Sequence, residues 1–130
     1  MSEERTKIWT DGGSSSNNPP FGIGYGSYRI NEDGKIVSLF YKTQMSSNAA
    51  EILTMANALA ACSDEKINIY SDSRTGLKWV NEVQKTDFIV SDSISEGMKR
   101  AIKYLSSVVS GKNINTHWRP REQIFKIFGH

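Results

Sequence analysis

The sequence has 130 residues, one cysteine and a formal net charge of +2 at pH 7, which predicts a single domain over residues 1–130 with one hydrophobic core. A lone cysteine forms no intramolecular disulfide and no cysteine zinc site, and no apolar run approaches the roughly 20 residues that cross a bilayer. The polar start lacks the apolar stretch of a secretory signal, so we expect a cytoplasmic protein that does not associate with membranes.

Three strand-like runs open the chain. They cover residues 7–10, 22–30 and 36–43 and are rich in Ile, Val, Phe and Tyr. The first run stops at Asp11-Gly12-Gly13, a combination that favours a turn. The segment Asn31-Glu32-Asp33-Gly34 between the other two is a hairpin signal. The sequence therefore predicts an antiparallel meander at the start of the domain.

Strands and helices then alternate. Apolar residues at helical spacing predict a helix over residues 48–61, and a short apolar strand follows at 66–71. The remaining elements are a helix through Leu77, Val80 and Val83, a helix over 94–109 that ends before Gly111, a strand at 114–118, and a short helical segment opened by Pro120 and ended by Gly129. This order predicts an α/β fold with a mixed sheet flanked by helices, in which the later strands run parallel and end at one edge.

Three acidic residues are predicted to meet at that edge, where open α/β sheets place their sites. Asp11 follows the first strand, Asp72 follows the fourth, and Glu51 lies in the first turn of the first long helix. Each alone has an ordinary explanation, because Asp-Gly favours turns, Asn48-x-x-Glu51 fits a variant capping box, and Asp72 could cap the next helix. Their convergence instead predicts a site for a hard cation such as Mg²⁺, which takes oxygen ligands.

Basic residues are concentrated in the second half of the chain. Residues 1–65 contain five Lys and Arg against eight Asp and Glu, a net charge of −3, whereas residues 66–130 contain eleven against six, a net charge of +5. The basic half suits contact with a phosphate backbone, although a solvated Lys-rich surface has the same composition.

Four segments carry a family pattern in their order and spacing. They are IWTDGG, SSNAAEILTMANALAA, INIYSDSRTGLKWV and INTHWRPREQ, and together they resemble type 1 ribonuclease H in its bacterial HI-like and plant-type branch. The resemblance implies a ribonuclease H-like fold, a five-stranded mixed sheet in the order 3-2-1-4-5, and two bound Mg²⁺ ions that Mn²⁺ can replace. It also implies a monomer without a small-molecule cofactor, which hydrolyses the RNA strand of RNA/DNA hybrids to 5′-phosphate products.

The resemblance also implies roles for individual residues. Asp11, Glu51 and Asp72 would be catalytic and would hold the metal ions together with Gly12. Substrate contacts would come from Gly12, Gly13 and Ser14 near the scissile phosphate, Ser46 near a DNA-strand phosphate, Ser47 and Asn48 in the minor groove, and Asn17, Ser73 and Arg74. The minor groove matters because the 2′-hydroxyl distinguishes RNA from DNA. The family usually has Asn where Ser47 stands and Gln where Arg74 stands.

The end of the sequence departs from the family pattern. The family has a fourth acid, an Asp in a C-terminal helix, whereas here Arg121-Glu122 is followed by QIFKIFGH without an Asp. Glu122 could lean in to replace that acid, and His130 could act as the mobile His that some members use in product release. The natural protein either lacks the fourth acid or continues past His130 to reach it. We expect a hybrid-directed ribonuclease, which is weakened or dependent on high metal or Mn²⁺ if the acid is absent. The alternatives are a catalytically impaired module of the same fold that binds RNA/DNA hybrids, and a metal nuclease of this fold that acts on DNA.

Overall fold

The computed structural model describes residues 4–129, which form one mixed sheet and four helices. The strands are β1 (Thr6–Ser14), β2 (Ile23–Ile30), β3 (Ile36–Gln44), β4 (Lys66–Ser71) and β5 (Asn113–Trp118). The helices are α1 (Ser47–Ala61), α2 (Arg74–Val83), α3 (Glu96–Val108) and α4 (Arg121–Ile127). None of the helices described is both long enough and apolar enough to pass through a bilayer.

The strand order is β3-β2-β1-β4-β5. β1 pairs antiparallel with β2, and β2 with β3, whereas β1 and β4 are parallel and so are β4 and β5. The predicted α/β fold with a five-stranded sheet in the order 3-2-1-4-5 is therefore confirmed. The predicted hairpin is also present, because the backbone N–H of Gly34 donates to the carbonyl of Asn31 at 3.1 Å between β2 and β3.

The two faces of the sheet are covered differently. Ile8 of β1 and Ile67 and Ile69 of β4 are fully buried in the main core, which α1, α2 and α3 complete. Alternate residues of a strand point to opposite faces, so Trp9 lies on the other face, where it packs with Ile124 of α4 and with Phe128. The short last helix therefore sits across the sheet from the long ones.

The predicted turn at Asp11 is wrong, because β1 continues through it to Ser14. Asp11 pairs with Ser27 of β2, and the pairing continues through both glycines that follow. A Cβ on Gly12 would lie 3.0 Å from the carbonyl oxygen of Ala50 in α1, and one on Gly13 would lie 2.9 Å from the hydroxyl of Tyr25. The glycines serve close packing inside a strand, and local turn propensity is overridden.

The helix caps also differ from the predicted ones. Ser46 is the N-cap of α1 and accepts a hydrogen bond from the backbone N–H of Ala49 at 3.2 Å. Glu51 therefore lies beyond the first turn, in which it was predicted to lie, and the capping box considered as its ordinary explanation is not formed. The N-cap of α2 is Ser73, so the capping role considered for Asp72 is wrong as well. Neither acid is used to begin a helix, and both side chains are left for another role.

Candidate active site

The three acids meet where β1 and β4 separate. The last parallel pair between these strands joins Trp9 to Tyr70. Asp11 lies two residues beyond Trp9 and Asp72 two residues beyond Tyr70, while Glu51 reaches the same point from α1. One oxygen from each of the three carboxyl groups lies within 4.8 Å of the other two. The sheet topology thus brings together carboxylates that are far apart in the sequence.

Glu51 is the most buried of the three acids. Its residue is 8% exposed, and its Oε2 atom has no hydrogen-bond partner within residues 4–129. Burial raises the pKa of Glu51 well above its usual range, and the negative charges of Asp11 and Asp72 raise this pKa further. A hydrogen bond from the backbone N–H of Gly12 and the positive charge of Arg121 act in the opposite direction.

An unpartnered carboxylate oxygen inside a protein costs free energy unless a proton or a cation compensates it. Here the orphaned oxygen belongs to a carboxyl group that clusters with two others, and no lysine is among the described residues that line their shared cleft. Hard divalent cations select such clusters of oxygen ligands. The residues present therefore fit a divalent metal site.

Asp72 is held by the end of β5 and by α4. The backbone carbonyl of Asp72 accepts a hydrogen bond from Nε1 of Trp118 at 3.2 Å. Its carboxylate Oδ2 lies 3.5 Å from Nε of Arg121, at the first residue of α4. The side chain of Asp72 is only 13% exposed, whereas that of Arg121 is 72% exposed. This ion pair gives the acidic cluster a positively charged neighbour.

The carboxylates line an open cleft of about 430 Å³. Its walls come from β1, β2, α1, α4 and the connection between β4 and α2. The residues lining it are Asp11, Gly12, Gly13, Ser14, Tyr25, Ser47, Asn48, Glu51, Asp72, Ser73, Arg121 and Phe125. Nine of these were predicted as site residues, and the other three, Tyr25, Arg121 and Phe125, were not.

A sequence signal for the missed pair on α4 does exist. Ile124 and Phe128 are buried against the sheet, and their spacing of four residues defines the packed face of this short helix. Arg121 and Phe125 are also four residues apart, so their side chains point to the same side of the helix, next to the packed face. What the sequence does not reveal is that this neighbouring face looks into the cleft.

The serines around the cleft are mostly occupied with local structure. The hydroxyl of Ser14 lies 2.8 Å from the carbonyl oxygen of Ser16 and 3.0 Å from that of Gly22. The hydroxyl of Ser73 accepts from the backbone N–H of Gly76 at 3.0 Å. Asn48 is exposed, and its side chain makes no hydrogen bond to the rest of the described chain. Of the polar groups predicted to contact substrate, Asn48 is thus among those left available.

Four further predicted residues, Asn17, Ser46, Arg74 and Glu122, do not line the cleft. The Oδ1 atom of Asn17 accepts a hydrogen bond from the backbone N–H of Ser47, and Ser46 caps α1 as described. The guanidinium of Arg74 lies 4.1 Å from the ring centroid of Trp118. Glu122 is exposed in the first turn of α4 and is not part of the acidic cluster. The role considered for His130 lies outside the described residues.

A larger cavity of about 630 Å³ lies at the opposite end of β1 and β4, where these strands begin. Two of the charged groups on its walls have partners, because Nη2 of Arg5 donates to the carbonyl oxygen of Asn113 at 2.6 Å and Thr6 donates to Asp64. We therefore place the candidate active site in the smaller cleft, where polar groups converge and an acceptor is left unpaired.

The fold is shared with solved ribonuclease H structures. The chain matches an RNase H1 from the halophilic archaeon Halobacterium salinarum NRC-1 with a TM-score of 0.69 and 20% identity, covering 94% of this chain and 90% of that one. It matches the N-terminal RNase H domain of rv2228c from Mycobacterium tuberculosis with a TM-score of 0.72 and 16% identity, covering 95% and 88%. A third match is LC11-RNase H1 in complex with RNA/DNA hybrid, with a TM-score of 0.62, 18% identity, and coverage of 94% and 90%.

Comparison with curated protein sequences gave no match. The family model for RNase H matches residues 3–120, a range that includes all three clustered acids and ends immediately before α4. The match covers most of the chain and agrees with the observed strand order. The chain therefore belongs to the RNase H family.

Proposed function

We propose that the chain is a metal-dependent endonuclease that hydrolyses the RNA strand of RNA/DNA hybrids. The observation that carries the proposal is the cluster of three carboxylates, which have one oxygen each within 4.8 Å of one another and include the buried Glu51 with its unpartnered Oε2. Membership of the RNase H family supports the same reaction class. A structural neighbour, LC11-RNase H1, is described in complex with RNA/DNA hybrid, which supports the same substrate class.

The proposed metal ligands are Asp11, Glu51 and Asp72, with Gly12 contributing its backbone. Two divalent ions, Mg²⁺ or Mn²⁺, would supply the positive charge that activates water and stabilises the attacking and leaving oxygens of a phosphoryl group. Two hydrogen bonds fix the proposed ligands in position, because the backbone N–H of Gly12 donates to Glu51 and Nε1 of Trp118 donates to the carbonyl of Asp72.

The nucleophile is proposed to be water. The hydroxyls of Ser14 and Ser73 are engaged in the loop and in the α2 cap, and no cysteine or histidine lines the described cleft. An attack by water on the phosphorus, with departure of the 3′ oxygen, leaves a 5′-phosphate and a 3′-hydroxyl. This outcome requires no covalent enzyme intermediate.

Recognition of RNA is proposed to involve Ser47 and Asn48. Both line the cleft at the start of α1, and an amide side chain both donates and accepts hydrogen bonds, as does a 2′-hydroxyl. Arg74 follows the cleft residue Ser73 and stacks on Trp118, and its positive charge would be available to a phosphate backbone.

A second candidate function is a binding module that holds RNA/DNA hybrids without cutting them. The observation favouring it is that α4 brings Arg121, not a carboxylate, to the acidic cluster. A cluster with three carboxylates and a nearby guanidinium is less favourable for two divalent ions than one with four carboxylates.

One assay separates the two candidates. A labelled RNA/DNA hybrid, double-stranded RNA and duplex DNA are incubated with the protein in Mg²⁺ and then in Mn²⁺. The Asp11→Asn variant is tested beside Asp33→Asn, which changes an exposed acid in the β2–β3 hairpin. We expect metal-dependent cuts in the RNA of the hybrid alone, lost in Asp11→Asn and retained in Asp33→Asn. Hybrid binding without cleavage in either metal would favour the binding module.

A further inference from the structure

Arg121 is placed to influence the acidic cluster from outside it. Its Nε atom lies 3.5 Å from Oδ2 of Asp72, and its guanidinium carbon lies 5.6 Å from the ring centroid of Phe125. The Arg121 side chain is 72% exposed, so it can leave Asp72 without unpacking the core. A guanidinium beside a proposed metal ligand competes with the metal ion for that ligand.

We propose that Arg121 is an exchangeable counter-ion, which occupies Asp72 in the free protein and competes with a divalent cation for it until a nucleic-acid phosphate draws the guanidinium away. The inference rests on the proposed function, because it takes Asp72 as a metal ligand and a nucleic acid as the substrate. It concerns a residue at the start of α4 that belongs to the INTHWRPREQ segment of the family pattern and directly follows the residues that the family model matches.

The competition follows from charge and geometry. A carboxylate oxygen that coordinates Mg²⁺ approaches it to roughly 2.0–2.1 Å, and a guanidinium on the same oxygen repels the incoming ion. An ion pair with one strongly exposed partner is weak in water, so the repulsion lowers metal affinity without blocking the site. Removing the positive charge of Arg121 should therefore strengthen metal binding.

A phosphate can compete with Asp72 for the guanidinium group of Arg121. A phosphate accepts paired hydrogen bonds from the planar guanidinium group, and Arg121 lines the same cleft as the carboxylates. When the guanidinium turns to a phosphate, Asp72 loses its counter-ion and becomes a better metal ligand. Metal and nucleic acid would then bind cooperatively, each raising the affinity for the other.

A purely structural role for Arg121 has little support, because other contacts secure α4. Ile124 and Phe128 are buried against Trp9, and Nη1 of Arg29 donates to the carbonyl oxygen of Ile127 at 2.8 Å. Variants of Arg121 should therefore fold. The neighbouring Arg119 offers a matched control, because its guanidinium carbon lies 5.1 Å from the ring centroid of Tyr70, a residue that does not line the cleft.

The first test measures Mn²⁺ binding to the metal-free full chain by titration calorimetry. We expect Arg121→Gln to bind Mn²⁺ roughly three- to tenfold more tightly than the unchanged protein at low salt. Arg121→Lys, which keeps the charge, and Arg119→Gln should stay close to the unchanged protein. Unchanged or weaker Mn²⁺ binding in Arg121→Gln would overturn the inference, as would equal tightening in Arg119→Gln.

The second test measures hybrid binding in EDTA, where cleavage cannot confuse the readout. If Arg121 contacts a phosphate, Arg121→Gln should bind a labelled RNA/DNA hybrid more weakly, and the slope of log affinity against log salt should fall by about 1. Arg121→Lys should retain most of the slope. A slope identical in Arg121→Gln and the unchanged protein would refute the exchange with phosphate.

The two tests distinguish failure of the counter-ion role from failure of the proposed nuclease function. Tighter Mn²⁺ binding in Arg121→Gln upholds the counter-ion role even if neither protein cleaves the hybrid, a result that would count against the nuclease. Cleavage by the unchanged protein together with unaltered Mn²⁺ affinity in Arg121→Gln would uphold the nuclease and reject the counter-ion.

Discussion

The side chain of Asn17 and the backbone of Ser47 are joined by a hydrogen bond of 3.0 Å, in which the N–H of Ser47 donates to Oδ1 of Asn17. This bond ties the polar loop after β1 to the first residue of α1. The loop is closed at its base by a bond of 2.9 Å from the N–H of Gly22 to the carbonyl of Ser16. Because α1 carries Glu51 one turn further on, the loop and the acidic site share one support.

Asn17→Ala should destabilise the start of α1 and detach it from the loop after β1. The Ser47 N–H would lose its partner, so we expect faster hydrogen exchange at the start of α1, a loss of about 1 kcal/mol in unfolding free energy, and weaker hybrid binding. Asn18→Ala is the control, because the side chain of Asn18 is exposed and bonds to no other described residue. Equal exchange rates at Ser47 in the two variants would show that the bond does not order the helix start.

Gly12 and Gly13 should differ sharply in their tolerance of a methyl group. In Gly12→Ala the new Cβ would meet the backbone of Ala50 and Glu51 at 3.0 Å, which cannot move without shifting α1. In Gly13→Ala it would meet the end of the Tyr25 side chain, which is half exposed and can turn aside. We expect Gly12→Ala to cost about 1–3 kcal/mol and Gly13→Ala clearly less.

Urea unfolding of both glycine variants checks the order, and Mn²⁺ calorimetry adds a second measurement. Gly12→Ala should also weaken metal binding, because the backbone N–H of Gly12 holds the carboxylate of Glu51. If Gly13→Ala proved the more damaging of the two, the close approach of β1 to α1 would not be the reason for the first glycine.

Glu51→Gln should change the pH dependence of stability in the metal-free protein. Burial raises the pKa of Glu51 above its ordinary value of 4.5, so the folded chain holds this proton more tightly than the unfolded chain. The free energy of unfolding therefore falls as the pH rises from 4.5 through the raised pKa. The glutamine variant lacks this contribution and should be more stable than the unchanged protein near neutral pH, on the order of 1–3 kcal/mol.

The measurement is urea unfolding in EDTA from pH 4.5 to about 8, with exposed Glu65→Gln as the control. The difference between Glu51→Gln and the unchanged protein should grow with pH and shrink or reverse when Mn²⁺ is added, because the ion stabilises only the chain that binds it. A difference that stays constant across this pH range would show that the Glu51 carboxyl does not titrate in the way its burial predicts.

Much of the fold could be predicted because its signals are local. Apolar spacing located α1 and β4, and the alternation of strands with helices predicted the parallel half of the sheet. The turn predicted at Asp11-Gly12 failed because the glycines are required by packing against α1 and Tyr25, which no local pattern contains. The caps shifted because the run Ser46-Ser47-Asn48 offers several residues of capping type, and only the tertiary contacts select among them.

The acids of the site could be predicted because topology alone brings them together. Asp11 and Asp72 follow paired parallel strands, so their proximity depends on strand order and not on side-chain detail. Arg121 was missed for the opposite reason. Its approach to Asp72 depends on how Ile124 and Phe128 seat α4 on the far face of the sheet, which is a matter of tertiary packing. Ser46 and Ser73, which were predicted to bind substrate, also cap the N-termini of α1 and α2.

Ser46 allows the structural and the substrate roles to be separated by two substitutions. Ser46→Ala removes the N-cap of α1 and should cost about 1 kcal/mol, whereas Ser46→Asp keeps a capping oxygen and should restore the stability. If Ser46 also lies near a DNA-strand phosphate, as the family resemblance implies, the added negative charge should weaken hybrid binding several-fold at low salt and less at high salt. Thermal unfolding and hybrid titration in EDTA measure the two effects, with Ser63→Ala as the control, an exposed serine at the opposite end of β1 and β4 from the cleft. Recovery of both stability and hybrid affinity in Ser46→Asp would assign Ser46 to helix capping alone.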